Sequence, residues 1–273
     1  MEKSLLDEQS PNTNEWTPDP FYHDLYNDLF YRDVIFPEKK DGYYVEIGAL
    51  DGMIMSQSYL FEKQLNWKGI VVEPNPVWKD ALFLHRNCNI STNAISDKIG
   101  KETFECREIP AFSGLKSTVN DVRQSDIINE FDIETITLSN LFDKFNAPNV
   151  IDWVSIDTEG AEISILNQFF LENTKYKINL LSFETFDMND AYELMKDKPY
   201  VKIKNPYLDF MRICSEGLLK LNTFTGELYR SPFKEWKYKG GFLSEDLRNI
   251  TFEHYYIHMD YLKDNLHLKK LLL

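Results

Sequence analysis

The chain has 273 residues, with 30 Lys and Arg against 44 Asp and Glu, a formal charge of −14. That balance excludes a nucleic-acid binder built on phosphate contacts and disfavours docking on an anionic membrane surface. Hydrophobic residues make up 43% of the chain, enough for the core of one large domain, and no apolar run reaches membrane-spanning length.

In chain order, residues 1–18 read as a polar arm. Asp19-Pro20 then opens a helix whose apolar face is Tyr22, Leu25, Tyr26, Leu29 and Phe30. A buried strand is expected over 43–48, a helix over 55–66 and a second strand over 69–73. Asn75-Pro76 starts another helix, to about Arg86. Residues 90–95 read as a third strand, with a hairpin tip at 99–101 and a returning strand over 103–106. The stretch 108–130 reads as one long loop. A short strand over 135–138 precedes a helix capped by Ser139. The apolar runs 151–156 and 178–183 predict central strands covered on both faces. Between them, Ile165, Leu166, Phe169 and Phe170 recur at helical spacing, and a further helix is expected over 188–197. Short strands at 200–203, 210–214, 218–221 and 227–230, with a turn at Thr225-Gly226, predict an antiparallel edge. The last thirty residues, rich in tyrosine, suggest no element. The expected divisions are an arm and helix at 1–40, a ligand-binding domain at 41–235 and an extension packed on it at 236–273.

Alternating strands and helices predict an α/β fold, a Rossmann-like doubly wound, mostly parallel sheet with antiparallel strands at its C-terminal edge. Such sheets bind ligands at the carboxyl ends of their strands. Acids fall at four of those ends: Glu46 to Asp51, Glu73, Asp157 with Glu159, and Glu184. Gly48 and Gly52 permit a sharp turn after the first strand, but the G-x-G-x-x-G spacing that cradles a pyrophosphate is missing. Glu46 and Asp51 would repel a pyrophosphate, which disfavours NAD. S-adenosylmethionine (SAM) carries an ammonium and a sulfonium and no phosphate, so it suits these acids. Glu73 stands where an acid accepts hydrogen bonds from ribose hydroxyls.

These segments resemble the FkbM family of SAM-dependent methyltransferases. The resemblance rests on Tyr44 to Gly52, Trp67 to Pro76, Asn93 to Asp97, Thr135 to Leu141 and Ile151 to Glu162. It spans about residues 21–185. It implies a class I methyltransferase fold and O-methyl transfer to a hydroxyl of a sugar, nucleotide-sugar or glycan. It also implies cofactor contacts at Glu46, Gly48, Ala49, Asp51, Gly52, Ser56, Glu73, Pro74, Asn93, Ala94 and Asp157. The family's Ser-Asn-Thr is replaced here by Ser56-Gln57-Ser58. A non-sugar hydroxyl as acceptor, or a non-catalytic SAM-binding partner subunit, are the alternative readings.

In-line methyl transfer needs an aligned acceptor oxygen and a base for its proton. Asp157 and Glu184, ending adjacent predicted strands, are the candidates, with Glu159 a third. The same two carboxylates, Asp157 and Glu184, form a hard-oxygen site compatible with Mg²⁺ or Mn²⁺. His254 and His258, four apart, read as packing histidines, and His23 is a reserve base. The charged N-terminus and the odd, scattered Cys88, Cys106 and Cys214 suggest a cytoplasmic protein with reduced thiols.

Overall fold

The computed structural model describes residues 27–119, 125–172, 175–185, 188–206, 219–221, 228–230 and 253–273. The expected helix start at Asp19-Pro20, His23, the strand over 210–214, Cys214 and the turn at Thr225-Gly226 lie outside these residues.

The first described elements are α1 (Asn27–Phe30), a π-helical turn (Tyr31–Ile35) and β1 (Tyr43–Ile47). Next come α2 (Tyr59–Leu65), β2 (Lys68–Val72), α3 (Lys79–His85), β3 (Asn89–Ser91), β4 (Ala94–Ile95), β5 (Gly100–Arg107), β6 (Gly114–Leu115) and β7 (Ile127–Ile136). After these follow α4 (Leu138–Lys144), β8 (Val150–Ile156), α5 (Glu162–Leu171), β9 (Lys177–Glu184), α6 (Met188–Met195) and β10 (Tyr200–Ile203). Two short strands, β11 (Leu219–Leu221) and β12 (Leu228–Arg230), pair with each other, and β13 (Glu253–His258) leads into α7 (Met259–Asp264).

The main sheet has seven strands in the order β10-β13-β9-β8-β1-β2-β3. β3, β2, β1, β8 and β9 run parallel, and β13 is antiparallel to both β9 and β10. The chain winds outward from β1 to β3, then returns to lay β8 on the other side of β1. That reversal puts the topological switch point between β1 and β8, where doubly wound sheets bind their ligands.

Alternation along the strands divides the core into two. Val45, Ile47, Val154 and Ile156 face α4, α5 and α6 through Leu141, Phe142, Ile165 and Leu194. Tyr44, Trp153 and Leu180 face the other layer, where Phe30, Phe61 and Leu82 come from α1, α2 and α3. The result is a helix–sheet–helix sandwich, as the alternating pattern predicts. No helix among the described residues is long and apolar enough to cross a membrane. Cys88 and Cys106 are free thiols.

Four sequence expectations need correction. The third strand is split: β3 stays in the main sheet, while β4 joins a second, four-stranded sheet ordered β4-β7-β5-β6. There, β5 pairs antiparallel with the long β7, not with β3. The supposed loop 108–130 therefore contains β6 and the start of β7, and Phe104, Leu115 and Ile133 form a small core of their own. The cap of α4 is Thr137, whose hydroxyl accepts from the Asn140 N–H; Ser139 lies inside the helix. Finally, residues 253–258, which suggested no element, supply the strand between β9 and β10.

Candidate active site

The turn after β1 is built by backbone geometry. Gly48 has φ +89°, and a Cβ there would lie 2.1 Å from the Asp157 carbonyl oxygen. The N–H groups of Gly48 and Ala49 both donate to the Val72 carbonyl, at 2.9 and 3.1 Å. The turn thus hangs on the ends of both neighbouring strands.

Glu73 follows β2 and is buried. Its Oε2 accepts from the Leu50 N–H at 2.9 Å and its Oε1 from the Asn75 N–H at 2.8 Å. Each carboxylate oxygen has two acceptor positions, so each keeps one for a ligand hydroxyl. Burial pushes the carboxyl up to about 7, against the pull of those two N–H donors. Pro74, half-buried, leads into Asn75. The Asn75 side chain donates to the Pro110 carbonyl and the Ser113 hydroxyl, at 3.2 and 3.0 Å. Those bonds dock the second sheet's loop beside the site, where a Cβ on Gly114 would lie 3.2 Å from the Thr158 carbonyl oxygen.

Glu46 and Asp51 brace the loop that follows the turn. Glu46 accepts from the Ser56 hydroxyl at 2.8 Å, from the Gln57 N–H at 2.7 Å and from the Ser58 hydroxyl. Asp51 accepts from the Met53 and Ile54 N–H groups, at 2.9 and 2.7 Å. These bonds hold residues 53–58 as a loop, so α2 begins at Tyr59, later than the sequence pattern suggests. The centre of the assembly is Arg86, whose side chain is fully buried. Its Nε donates to Glu62 at 2.7 Å, and Nη1 to the Gly52 carbonyl and Ser56 hydroxyl, both at 3.0 Å. Nη2 donates to the Tyr44 hydroxyl at 2.8 Å and the Ser58 hydroxyl at 2.7 Å. All five guanidinium N–H groups are thereby used. Gly52, at φ +78°, leaves room for this side chain: a Cβ would meet Arg86 Cγ at 2.7 Å.

Across the switch point, the Asp157 N–H donates to the Ile47 carbonyl at 3.0 Å. Ile156 and Phe183 are partners in the parallel β8–β9 register, so Asp157 and Glu184 follow side by side. Both are half-buried. Glu184 is paired on its other side with Glu253 of β13. Glu159 has φ +60°, in a turn pinned by Glu162. The Glu162 carboxylate accepts from the Thr158 N–H at 2.6 Å, the Thr158 hydroxyl at 2.8 Å and the Gly160 N–H at 3.2 Å. Burial raises its pKa.

The structure therefore gathers the β1 turn, Glu73, Asp157 and Glu184 at one sheet edge. Ser56 lies behind them, between Glu46 and Arg86. Asn93 and Ala94 sit where the chain leaves the main sheet. Asn93 Oδ1 accepts from Lys144 at 2.8 Å, and Ala94 is buried in β4. Among the described residues, no group of three or more His, Cys, Asp or Glu forms a metal-ligand cluster, so the Mg²⁺ or Mn²⁺ expectation at Asp157 and Glu184 gains no support. His254 and His258 lie on β13, and the buried His254 ring stacks on Phe183 at 5.4 Å. Arg86 carries no sequence signal of its own, because its partners are assembled only by the fold; Glu162 appears only as the last residue of the Ile151 to Glu162 segment, with no role assigned. Gln57 was visible only as a departure from the family pattern.

Residues 46–203 match the Methyltransferase FkbM domain family. Among curated proteins none matches the sequence. Solved structures similar to this one include the FkbM methyltransferase of Methylobacillus flagellatus KT, at 12% identity and TM-score 0.38, covering 64% of this chain and 44% of that one. This chain thus spans under half the length of that protein. A precorrin-6y C5,15-methyltransferase from Geobacter metallireducens GS-15 is similar at 12% identity and TM-score 0.37, covering 71% and 89% of the two chains. The human methyltransferase 10 domain containing protein is similar at 8% identity and TM-score 0.31, covering 67% and 73%. With more than half of its length matched by the family, the chain belongs to the FkbM methyltransferases.

Proposed function

We propose that this chain is a SAM-dependent O-methyltransferase acting on a hydroxyl of a sugar, nucleotide-sugar or glycan. One observation carries the reading. At the switch point, a glycine turn and a buried acid with two open acceptor positions stand opposite a pair of half-buried carboxylates. The residues fit the cofactor. Glu73 suits the ribose diol, and the β1 turn from Gly48 to Gly52 lies next to it, between the ends of β2 and β8. Bound there, SAM would supply an electrophilic methyl group on a sulfonium.

The protein's part is to place the acceptor and take its proton. Asp157 and Glu184, side by side, accept hydrogen bonds from a polyhydroxyl acceptor, and one of them serves as the base. Such a base contributes about 10²–10⁴-fold, and alignment adds to it. The loop from Pro110 to Val119, held against Asn75 and Thr158, is placed to help select the acceptor.

Two measurements test the reading. Calorimetry should show binding of S-adenosylhomocysteine (SAH), and radiolabelled SAM should label a member of a panel of hexoses, methyl glycosides and nucleotide-sugars. Absence of SAH binding would sink the proposal. SAH binding without transfer to any hydroxyl compound would instead favour a non-catalytic SAM-binding subunit.

A further inference from the structure

We propose that the side-chain carbonyl of Gln57 receives the α-ammonium group of the methionine half of SAM. The inference rests on the methyl donor proposed above and adds the residue that reads its amino-acid end.

Gln57 belongs to the loop between Gly52 and α2, and it is 7% exposed. Its position is fixed from three sides. The backbone N–H donates to Glu46 Oε1 at 2.7 Å, and the flanking Ser56 and Ser58 hydroxyls donate to Glu46 Oε2. The side-chain nitrogen reaches Glu253 Oε1, at 3.5 Å, on the strand beside Glu184. Turning the amide over would set two oxygens against each other, so this contact orients the carbonyl away from Glu253. Among the described residues Gln57 Oε1 then has no hydrogen-bond partner, although it is buried. A buried acceptor left unpaired is costly, and beside a ligand-binding turn it marks where a ligand donor arrives.

Charge selects the donor. Glu46 and Glu253 flank Gln57. Arg86 lies 3.6 Å from Glu46 but closer, at 2.7 Å, to Glu62, so its one positive charge is shared between two carboxylates and offsets Glu46 only in part. The surroundings are therefore acidic, which repels a carboxylate or phosphate and attracts a cation bearing N–H groups. The only such group on SAM is its ammonium; the sulfonium has no proton to donate and the adenine amino group is neutral.

The test is calorimetric titration of the full chain with three probes: SAH, the SAH analogue lacking only the amino group, and methylthioadenosine, which lacks the whole amino-acid end. The wild type should bind the desamino analogue roughly ten- to a hundredfold more weakly than SAH. Gln57→Leu should bind SAH as weakly as the wild type binds the desamino analogue, with methylthioadenosine affinity unchanged within about twofold. Gln57→Asn, which keeps the carbonyl, should recover part of the loss. Equal wild-type affinity for SAH and its desamino analogue overturns the proposal without any variant. Loss of methylthioadenosine binding in step with SAH in a folded Gln57→Leu protein overturns it too. If the wild type binds none of the three, the SAM reading itself fails, and this inference with it.

Discussion

The main chain of Asp157 passes so close to Gly48 that a Cβ on residue 48 would lie 2.1 Å from its carbonyl oxygen. This contact joins the two halves of the doubly wound sheet at the switch point. Gly48 also holds φ +89°, a conformation that L side chains rarely adopt. Gly48→Ala is therefore strained twice. It should lower stability by about 2 kcal/mol or more and weaken SAH binding, because the turn must retreat from Asp157. Urea unfolding and calorimetry check the two effects separately.

Arg86 is a second prediction. Its five N–H groups tie the Gly52–Ser58 loop to β1 and α2, and it is fully buried. Arg86→Lys keeps the charge but cannot span Glu62, Tyr44, Gly52 and the two serines at once. The expected loss is about 3–5 kcal/mol, the cost of breaking a buried charge network. The same network governs acid stability. Burial pushes the Glu62 carboxyl up, but Arg86 and the Asn87 N–H outweigh it and hold it down at about 2. A folded pKa below the unfolded value gives stability that is present above about pH 4.5 and lost as pH falls towards 2. Unfolding midpoints for wild type and Arg86→Lys between pH 5 and 2 should converge.

The central strands were legible because β8 and β9 sit in mid-sheet, buried on both faces, and so read as apolar runs. The acids at strand ends were legible for the same reason, since each follows a run. The second sheet was not. In β7, Phe131 and Ile133 alternate with Glu130, Asp132 and Glu134, but Ile127 and Ile128 are exposed, and that start resembles a loop. β13 pairs with β9 although some seventy residues separate them, and no local signal announces a strand inserted from so far along the chain. Arg86 was invisible for a related reason. A single arginine at a helix end shows nothing of Glu46, Glu62 and Tyr44, which only the fold brings to it.

If Glu73 is the ribose acceptor proposed above, ligand binding should depend on pH. Burial raises its folded pKa to about 7 from an ordinary value of 4.5. Over the interval between those values the folded state binds more protons than the unfolded one, so this group's contribution to stability is present below about pH 4.5 and is lost as pH rises through 7. In the proposed complex, however, the ribose diol donates to the carboxylate. SAH should bind about tenfold more weakly at pH 6 than at pH 8, releasing no proton at pH 8 and nearly one at pH 6. Calorimetry in buffers of different ionisation enthalpy counts that proton. Glu73→Gln should flatten the dependence, and a flat wild-type profile would show that the carboxylate is not the ribose acceptor.

Asp157 and Glu184 end neighbouring strands, yet their surroundings differ. Asp157 stands over the β1 turn, through the contact with Gly48 and the bond to Ile47. Glu184 lies one strand further away, beside Glu253. Asp157→Asn should therefore weaken SAH binding as well as transfer, whereas Glu184→Gln should leave SAH affinity within a few-fold and act on transfer alone. Whichever residue is the base should lose about 10²–10⁴ in kcat, with the residual rate rising towards alkaline pH as hydroxide replaces it. Because no third metal-ligating side chain groups with these two among the described residues, transfer should persist in excess EDTA. A loss in EDTA that Mn²⁺ restores would instead assign the pair to a divalent ion holding the acceptor's hydroxyls.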